Sequence, residues 1–395
     1  MNLLNNMNDD ILLHILNLLD DKNKIIFTSI CSKLYTFRHE IYYDDNIYNY
    51  EKIKDLPFYN KFERIKYKSN STIIVPLGIT HLEFEDTFNE SINEVISNTI
   101  THLSFGHKFN QSIKDHIPKN VICLSFHCDY KQPVKNSIPE GIIYLRLGSH
   151  FDEPIKDIVP KTITHLELGC CYDRPIKGMI PDGITHLTLG AEFNQSVEGS
   201  IPKSVTHLTF GCYYNKTIKK GNIPEGLTHL IFGHIFNKPL QNCIPKSVIY
   251  LNLSDHFNQP IKECIPNGVK YLIFGDYFNQ PIKDCIPNGV KYLIFGDYFN
   301  QPIKDSIPNG VTHITFGYKF NQSLYDIPNS ITHLTLSQIC DENVLNNIPS
   351  TVKYLTICEN PREKSVKLIK IKNELNWDIC DSLDEEINSI LIPID

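Results

Sequence analysis

Apolar residues return along this chain on a period of 21 residues. Aligned on the residue that opens each I-T-H-L phrase, the positions are Ile79, Ile100, Val121, Ile142, Ile163, Ile184, Val205, Leu227, Val248, Val269, Val290, Val311, Ile331 and Val352. The spacing is 21 throughout, apart from one 22 (to Leu227) and one 20 (to Ile331). Fourteen units with so little slippage predict a solenoid, in which each repeat is buried only by its neighbours. Two adjacent units, 264–284 and 285–305, are identical: CIPNGVKYLIFGDYFNQPIKD.

Each unit reads I-P-x-G-V-T-H-L-x-F-G-x-x-F-N-Q-P-I-K-x-x. Leu272 and Phe274 stand two apart, as do Leu293 and Phe295, so each pair lies on one side of a short strand while Tyr271 and Ile273 take the other. Gly275 and Gly296 follow, where the backbone is expected to turn sharply. Ile-Pro and Gln-Pro suit an extended return, because proline fixes φ and donates no hydrogen bond. About six residues for the strand leave about fifteen for turns and a return path, so irregular or short 3₁₀ structure is expected there. Stacking predicts a parallel sheet with strands about 4.8 Å apart. The repeats occupy 76–359; a linker and cap is expected over 51–75 around Phe62, Ile65 and Tyr67, and a second cap over 360–395, closed by Trp377 and Leu375.

Residues 1–50 follow a different pattern. Apolar residues at Ile11, Leu12, Ile15, Leu16 and Leu19 form the i, i+4 stripe of an amphipathic helix, with Asn8 or Asp9 placed to cap it. Ile25, Ile26, Ile30 and Leu34 predict a second helix after a turn at DDKNK. Two short helices are marginal alone in water, so they need the end of the solenoid or a partner protein.

Composition narrows the function. The 395 residues carry a net charge of −7 and no extended Lys/Arg run, unlike the basic footprint of a nucleic-acid binder. No apolar stretch reaches the roughly 18 residues of a membrane span, and MNLLNNMNDD is acidic and polar where a signal peptide is basic and then apolar. The twelve cysteines are therefore read as reduced thiols of a cytoplasmic or nuclear protein.

In a solenoid, equivalent residues form ladders. The third strand position is His or Tyr in thirteen of fourteen units (His81, His102, Tyr144, His165, His186, His207, His229, Tyr250, Tyr271, Tyr292, His313, His333 and Tyr354), with Cys123 the exception. One ring per rung supplies an open line rather than the closed tetrahedron of a zinc site. The ladder is either stacking that favours the sheet or an exposed surface that meets a partner. Two residues on, the column varies (Glu83, Arg146, Thr188, Ile231, Asn252, Ile273, Ile294), as a position free of packing duties does. Ile231, Ile273 and Ile294 beside Tyr250, Tyr271 and Tyr292 form the preferred contact site for a target protein. The repeated Phe-Asn pairs are assigned to structure, the Asn amide bonding turn backbone. Cys243, Cys264 and Cys285 lie one period apart and are read as thiols. No C-x-x-C, phosphate-binding loop or G-x-S-x-G elbow is present, so no catalytic, metal or cofactor site is expected.

The block I-P-x-G-V-T-H-L-x-F-G-x-x-F-N-Q-P-I resembles the FNIP repeat, a leucine-rich-repeat relative known mainly from social amoebae and giant viruses of amoebae. Ile331, Leu334 and Leu336 echo the shorter L-x-x-L-x-L phrase. The N-terminal stretch resembles an F-box: Asp10-Ile11-Leu12 and Ile15-Leu16 stand for E-I-L and I-L, and Ile30-Cys31-Ser32-Lys33-Leu34 for the closing V-C-K-x-W. Met7-Asn8 replaces the Leu-Pro opening and Leu34 the Trp. The resemblance implies a small all-α F-box-like module followed by an α/β-class leucine-rich-repeat-like solenoid. It further implies a non-catalytic adaptor of a cullin ubiquitin ligase. Ile11, Leu12, Ile15, Leu16, Ile26 and Ile30 would supply the core and the surface facing a Skp-type adaptor, and the repeats would hold the target, in the host cytoplasm if the chain is viral. The alternative is an interaction scaffold with no ubiquitin link, its N-terminal helices acting only as a cap. Neither nucleic acid nor membrane is an expected partner.

Overall fold

The computed structural model describes residues 7–71, 75–92, 96–127, 130–156, 158–325, 327–337 and 348–358, with the backbone alone of 366–372 and 377–380. The chain folds as two compact units, Met1–Glu153 with Asp157–Leu168, and Pro154–Lys156 with Gly169–Asp395. No helix among the described residues is long and apolar enough to cross a membrane.

The first unit opens with helices α1 (Asp9–Asn17), α2 (Asp21–Thr28) and α3 (Ser32–Thr36). Asn8 caps α1 by accepting the Asp10 N–H at 2.7 Å. The expected turn at DDKNK is itself helical, because Asp20 caps α2 by accepting the Asn23 N–H at 2.7 Å. The second apolar cluster is split between α2 and α3, whose junction falls at Ser29–Cys31. Arg38 closes the end of α2, donating to the Ile25 carbonyl at 3.0 Å and to the Thr28 hydroxyl at 2.8 Å.

Strand β1 (Tyr48–Asn49) and the short α4 (Tyr50–Ile53) lead to β2 (Ile65–Ser69). Next come β3 (His81–Phe84), β4 (His102–Phe105), β5 (Cys123–Phe126), β6 (Tyr144–Arg146) and β7 (His165–Glu167), each parallel to the one before. The helices are tied to β1 and the segment that precedes it by a buried carboxylate. Asp21, fully buried, accepts N–H groups from Asp44, Asp45 and Asn46 at 3.0–3.2 Å and the Tyr48 hydroxyl at 3.0 Å. Rings of Tyr43, Tyr48, Phe58 and Phe62 pack behind it.

The second unit holds nine further parallel rungs: β8 (His186–Thr188), β9 (His207–Thr209), β10 (His229–Ile231), β11 (Tyr250–Asn252), β12 (Tyr271–Ile273), β13 (Tyr292–Ile294), β14 (His313–Thr315), β15 (His333–Ser337) and β16 (Tyr354–Cys358). Two antiparallel strands follow, β17 (Val366–Lys372) and β18 (Trp377–Cys380). The side chains of the expected C-terminal cap, Leu375 and Trp377 among them, lie outside the described residues.

Register is unshifted from rung to rung, so Leu251, Leu272 and Leu293 stand opposite one another. Val290, Leu293, Phe295, Phe299 and Ile303 of one rung are all buried. Their phenylalanines form a double ladder: Phe274, Phe295 and Phe316 stack at 5.3 and 5.6 Å, and Phe278, Phe299 and Phe320 at 6.1 and 6.3 Å. Burying one such ring contributes about 1.5–3 kcal/mol, available only with a neighbour on each side.

Three i→i+3 turns make the return path after β13, through Phe299 N–H to Gly296 O, Ser306 N–H to Ile303 O, and Val311 N–H to Pro308 O. No 3₁₀ helix occurs among the described repeat residues. The glycines after β12 and β13, Gly275 and Gly296, have a different reason from the one expected. An added Cβ at Gly296 would lie 2.2 Å from the Gly275 carbonyl oxygen, so the close approach of rungs requires it. The left-handed residues lie in the return segment instead, at Glu263, Asp284 and Asp305, with φ between 53° and 59°.

Candidate functional site

The outer face of the sheet is shaped by a backbone pinch at the start of each strand. Thr206 N–H and His207 N–H both reach the Thr185 carbonyl, at 2.8 and 3.0 Å. Second and third unit positions thereby both face outward, and the Thr hydroxyl lies beside the ring that follows it. In eight rungs the Thr Oγ1 is 2.8–2.9 Å from the Nδ1 of the next histidine. The same hydroxyl donates to the carbonyl of the rung before, as Thr228 does to Thr206 at 3.1 Å. A hydroxyl has one proton, so Nδ1–H must be the donor to it and Nε2 keeps its lone pair.

This pairing is written in the sequence. Wherever the third position is His the second is Thr; before Tyr or Cys it is Ile or Lys (Ile122, Ile143, Ile249, Lys270, Lys291, Lys353). Reading columns singly misses that coupling. The rings stack at 4.0 Å between His81 and His102, between His186 and His207, and between His207 and His229. Burial holds the His81 imidazole down to about 4, helped by His102, Arg64 and Lys66, and burial lowers His102, His165 and His229 as well. These histidines are neutral at pH 7.

The outer face differs between the two units. On the first it is polar: Tyr144 donates to Glu167 at 2.7 Å, Arg146 lies 3.5 Å from the same carboxylate, and Lys68 is 3.0 Å from Glu83. The Cys123 thiol is pushed up to about 11 by burial and by Glu167, so it stays protonated rather than nucleophilic.

On the second unit Ile231, Tyr250, Tyr271, Ile273, Tyr292 and Ile294 are all half-buried and outward-facing. Tyr250, Tyr271 and Tyr292 are register partners with ring centroids 6.2 and 4.7 Å apart, and Ile273 faces Ile294. Ile231 is separated from that pair by Asn252. Tyr277 (45% exposed) and Tyr298 (47%) stand proud in the turn beyond these strands and stack at 4.9 Å, a ladder that strand-based reasoning passes over.

The six N-terminal candidates divide. Leu12 and Leu16 are fully buried in the helical core, whereas Ile11, Ile26 and Ile30 are 52%, 55% and 45% exposed and Ile15 is half-buried. Leu18, 74% exposed, joins the exposed apolar residues here. Asp21, Asp44 and Asp45 bring three carboxylates together, with Asp21 already engaged by backbone N–H groups.

The remaining ladders are architectural. Asn258 accepts the Asn279 N–H, and Asn279 the Asn300 N–H, each at 3.0 Å. Cys243, Cys264 and Cys285 are free thiols raised by burial; Cys285 bonds the Lys283 carbonyl as Ser306 bonds that of Lys304.

The family model described as FNIP Repeat matches successive stretches 92–129, 130–171, 172–213, 214–256, 257–298, 278–319, 299–338 and 320–359. A protein of Acanthamoeba polyphaga mimivirus named as an F-box protein is 45% identical over 84 residues, 21% of this chain and 30% of the relative. Another, named as an F-box and FNIP repeat-containing protein of the same virus, is 36% identical over 110 residues, 24% of this chain and 37% of the relative. The chain thus spans about a third of the length of these curated relatives. The crystal structure of CroV588, described as a novel circular LRR protein, matches with a TM-score of 0.63 at 34% identity, covering 77% of this chain and 47% of that one.

Proposed function

Starting from the fact that the chain belongs to the FNIP repeat family, we propose that it is a non-catalytic recruiting protein of an SCF-type cullin ubiquitin ligase. Its N-terminal helices dock a Skp-type adaptor, and the outer face of its solenoid holds a target protein. The observation that carries this reading is the division of the helical stripe. Leu12 and Leu16 complete the module's own core, while Ile11, Ile26 and Ile30 remain exposed, and an isolated core has no need of them there. The F-box names of the relatives agree with that surface, and their viral source supports work in host cytoplasm. A second reading rests on the Asp21 cluster, which seats the helices so firmly on β1 and the segment before it that they would serve as a cap alone, leaving a scaffold with no ubiquitin link.

Capture of a purified Skp-type adaptor separates the two. The full chain is expected to retain the adaptor, and Ile11→Asp with Ile30→Asp to lose it while keeping the wild-type circular dichroism. No retention by wild type, or equal retention by the double variant, refutes the ligase reading and leaves the scaffold.

A further inference from the structure

Building on the reading that the outer face of the second unit holds the target, we infer that the bound segment is an amphipathic α-helix lying along the stack. Its flanks carry opposite charges: acidic toward Lys270 and Lys291, basic toward Asp276 and Asp297.

The first ground is period. Parallel rungs recur about every 4.8 Å, and an α-helix returns to the same face about every 5.4 Å. A strand returns about every 6.6 Å and drifts out of step within two rungs. A polyproline helix returns about every 9.3 Å and meets only alternate rungs. Here the contact residues stand on consecutive rungs, since Tyr271 and Ile273 face Tyr292 and Ile294 directly. One apolar side chain per helical turn meets one rung, and the identical units present the same pair twice.

The second ground is charge. The backbone pinch turns Lys270 and Lys291 outward ahead of the tyrosines, and both are exposed. On the other side, the turns leaving β12 and β13 carry the part-buried Asp276 and Asp297 beside the exposed Tyr277 and Tyr298. The apolar strip therefore runs between a basic edge and an acidic one. A helix with one apolar stripe, Glu on one flank and Arg on the other is complementary to all three columns in a single orientation.

The test is a peptide-display selection on the full chain, with a library half of helical scaffolds bearing an i, i+3/i+4, i+7 apolar stripe and half of extended and proline-rich segments. Enrichment of helices with segregated acidic and basic flanks is expected, with affinity falling about ten-fold or more on Ile273→Thr with Ile294→Thr. Threonine already occupies this column at Thr188, Thr209 and Thr315, so the variant keeps its fold. Lys270→Glu with Lys291→Glu is expected to select basic residues on the flank that was acidic. Extended or proline-rich winners that lose binding on the threonine variant overturn the helix while sparing the target face. Helices whose flank preference survives the lysine reversal overturn the proposed orientation. Winners indifferent to the threonine variant, or no winners, overturn the helix and the target face together.

Discussion

Replacing Tyr214 with phenylalanine should make the second unit more stable. Tyr214 is wholly buried and its hydroxyl finds no hydrogen-bond partner among the described residues. Its ring lies in the outer phenylalanine ladder, 6.2 Å from Phe193 and 6.1 Å from Phe236, with Phe210 at 4.3 Å. Its ring neighbours are aromatic hydrocarbon, and burial drives the phenol pKa upward with no opposing partner. An unsatisfied buried hydroxyl costs about 1–3 kcal/mol, and Tyr214→Phe removes it without changing the ring, so a gain of about 1–2 kcal/mol is expected. At an m-value of about 3 kcal/mol/M in urea that gain raises the midpoint by roughly 0.5 M. The reciprocal substitution, Phe236→Tyr, should lower the midpoint by a similar amount. The assay is urea unfolding followed by circular dichroism, with limited proteolysis to show that the second unit is the part that moved, since stacked repeats need not unfold as one. A lower midpoint for Tyr214→Phe would mean that the hydroxyl is satisfied after all, and that the ladder's chemistry has been misread.

Two further outcomes follow from the stacking. Gly296→Ala puts a methyl group 2.2 Å from the Gly275 carbonyl oxygen and must force the rungs apart; a loss of roughly 3 kcal/mol is expected, read as a lower urea midpoint, and an unchanged midpoint would contradict the close approach. The histidine ladder of the first unit should make that unit acid-sensitive. Burial, then His102, Arg64 and Lys66, hold His81 at about 4 in the fold against about 6.5 unfolded, so the unfolded chain binds more protons between those values. The contribution is complete above about pH 6.5 and declines as pH falls toward 4. Replacing His81 and His102 together by tyrosine, which other rungs already carry there, should flatten the dependence of the midpoint on pH; an unaltered slope would assign it elsewhere.

Much of this architecture can be read from the letters because a solenoid repeats its reasons. Leu272 and Phe274 had to share a side, and they do. What escaped were properties of two rungs or of backbone geometry. Gly296 looked like a turn residue because one unit cannot show that its neighbour's carbonyl occupies the missing Cβ. The Thr-His pairing was visible in eight units, but the pinch that puts both side chains on one face is a feature of the backbone. The N-terminal stripe holds Leu12, Leu16 and Ile11 alike, because periodicity reports an apolar face without saying how much of it the module's own core consumes. DDKNK reads as a turn by its polarity, which hides the capping signal of Asp20.

The hydrogen placed on Nδ1 by each Thr-His pair reaches beyond the folding of a rung. A neutral histidine held in that tautomer offers the outside world a lone pair, and a tyrosine at the same place offers an O–H. The run from His229 to Tyr250 and Tyr271 thus passes from taking to giving protons in hydrogen bonds along one line. Changing a unit between Thr-His and Lys-Tyr alters that polarity and the adjacent charge together while leaving its leucine and phenylalanines untouched. Such a face can be respelled one rung at a time without reopening the core.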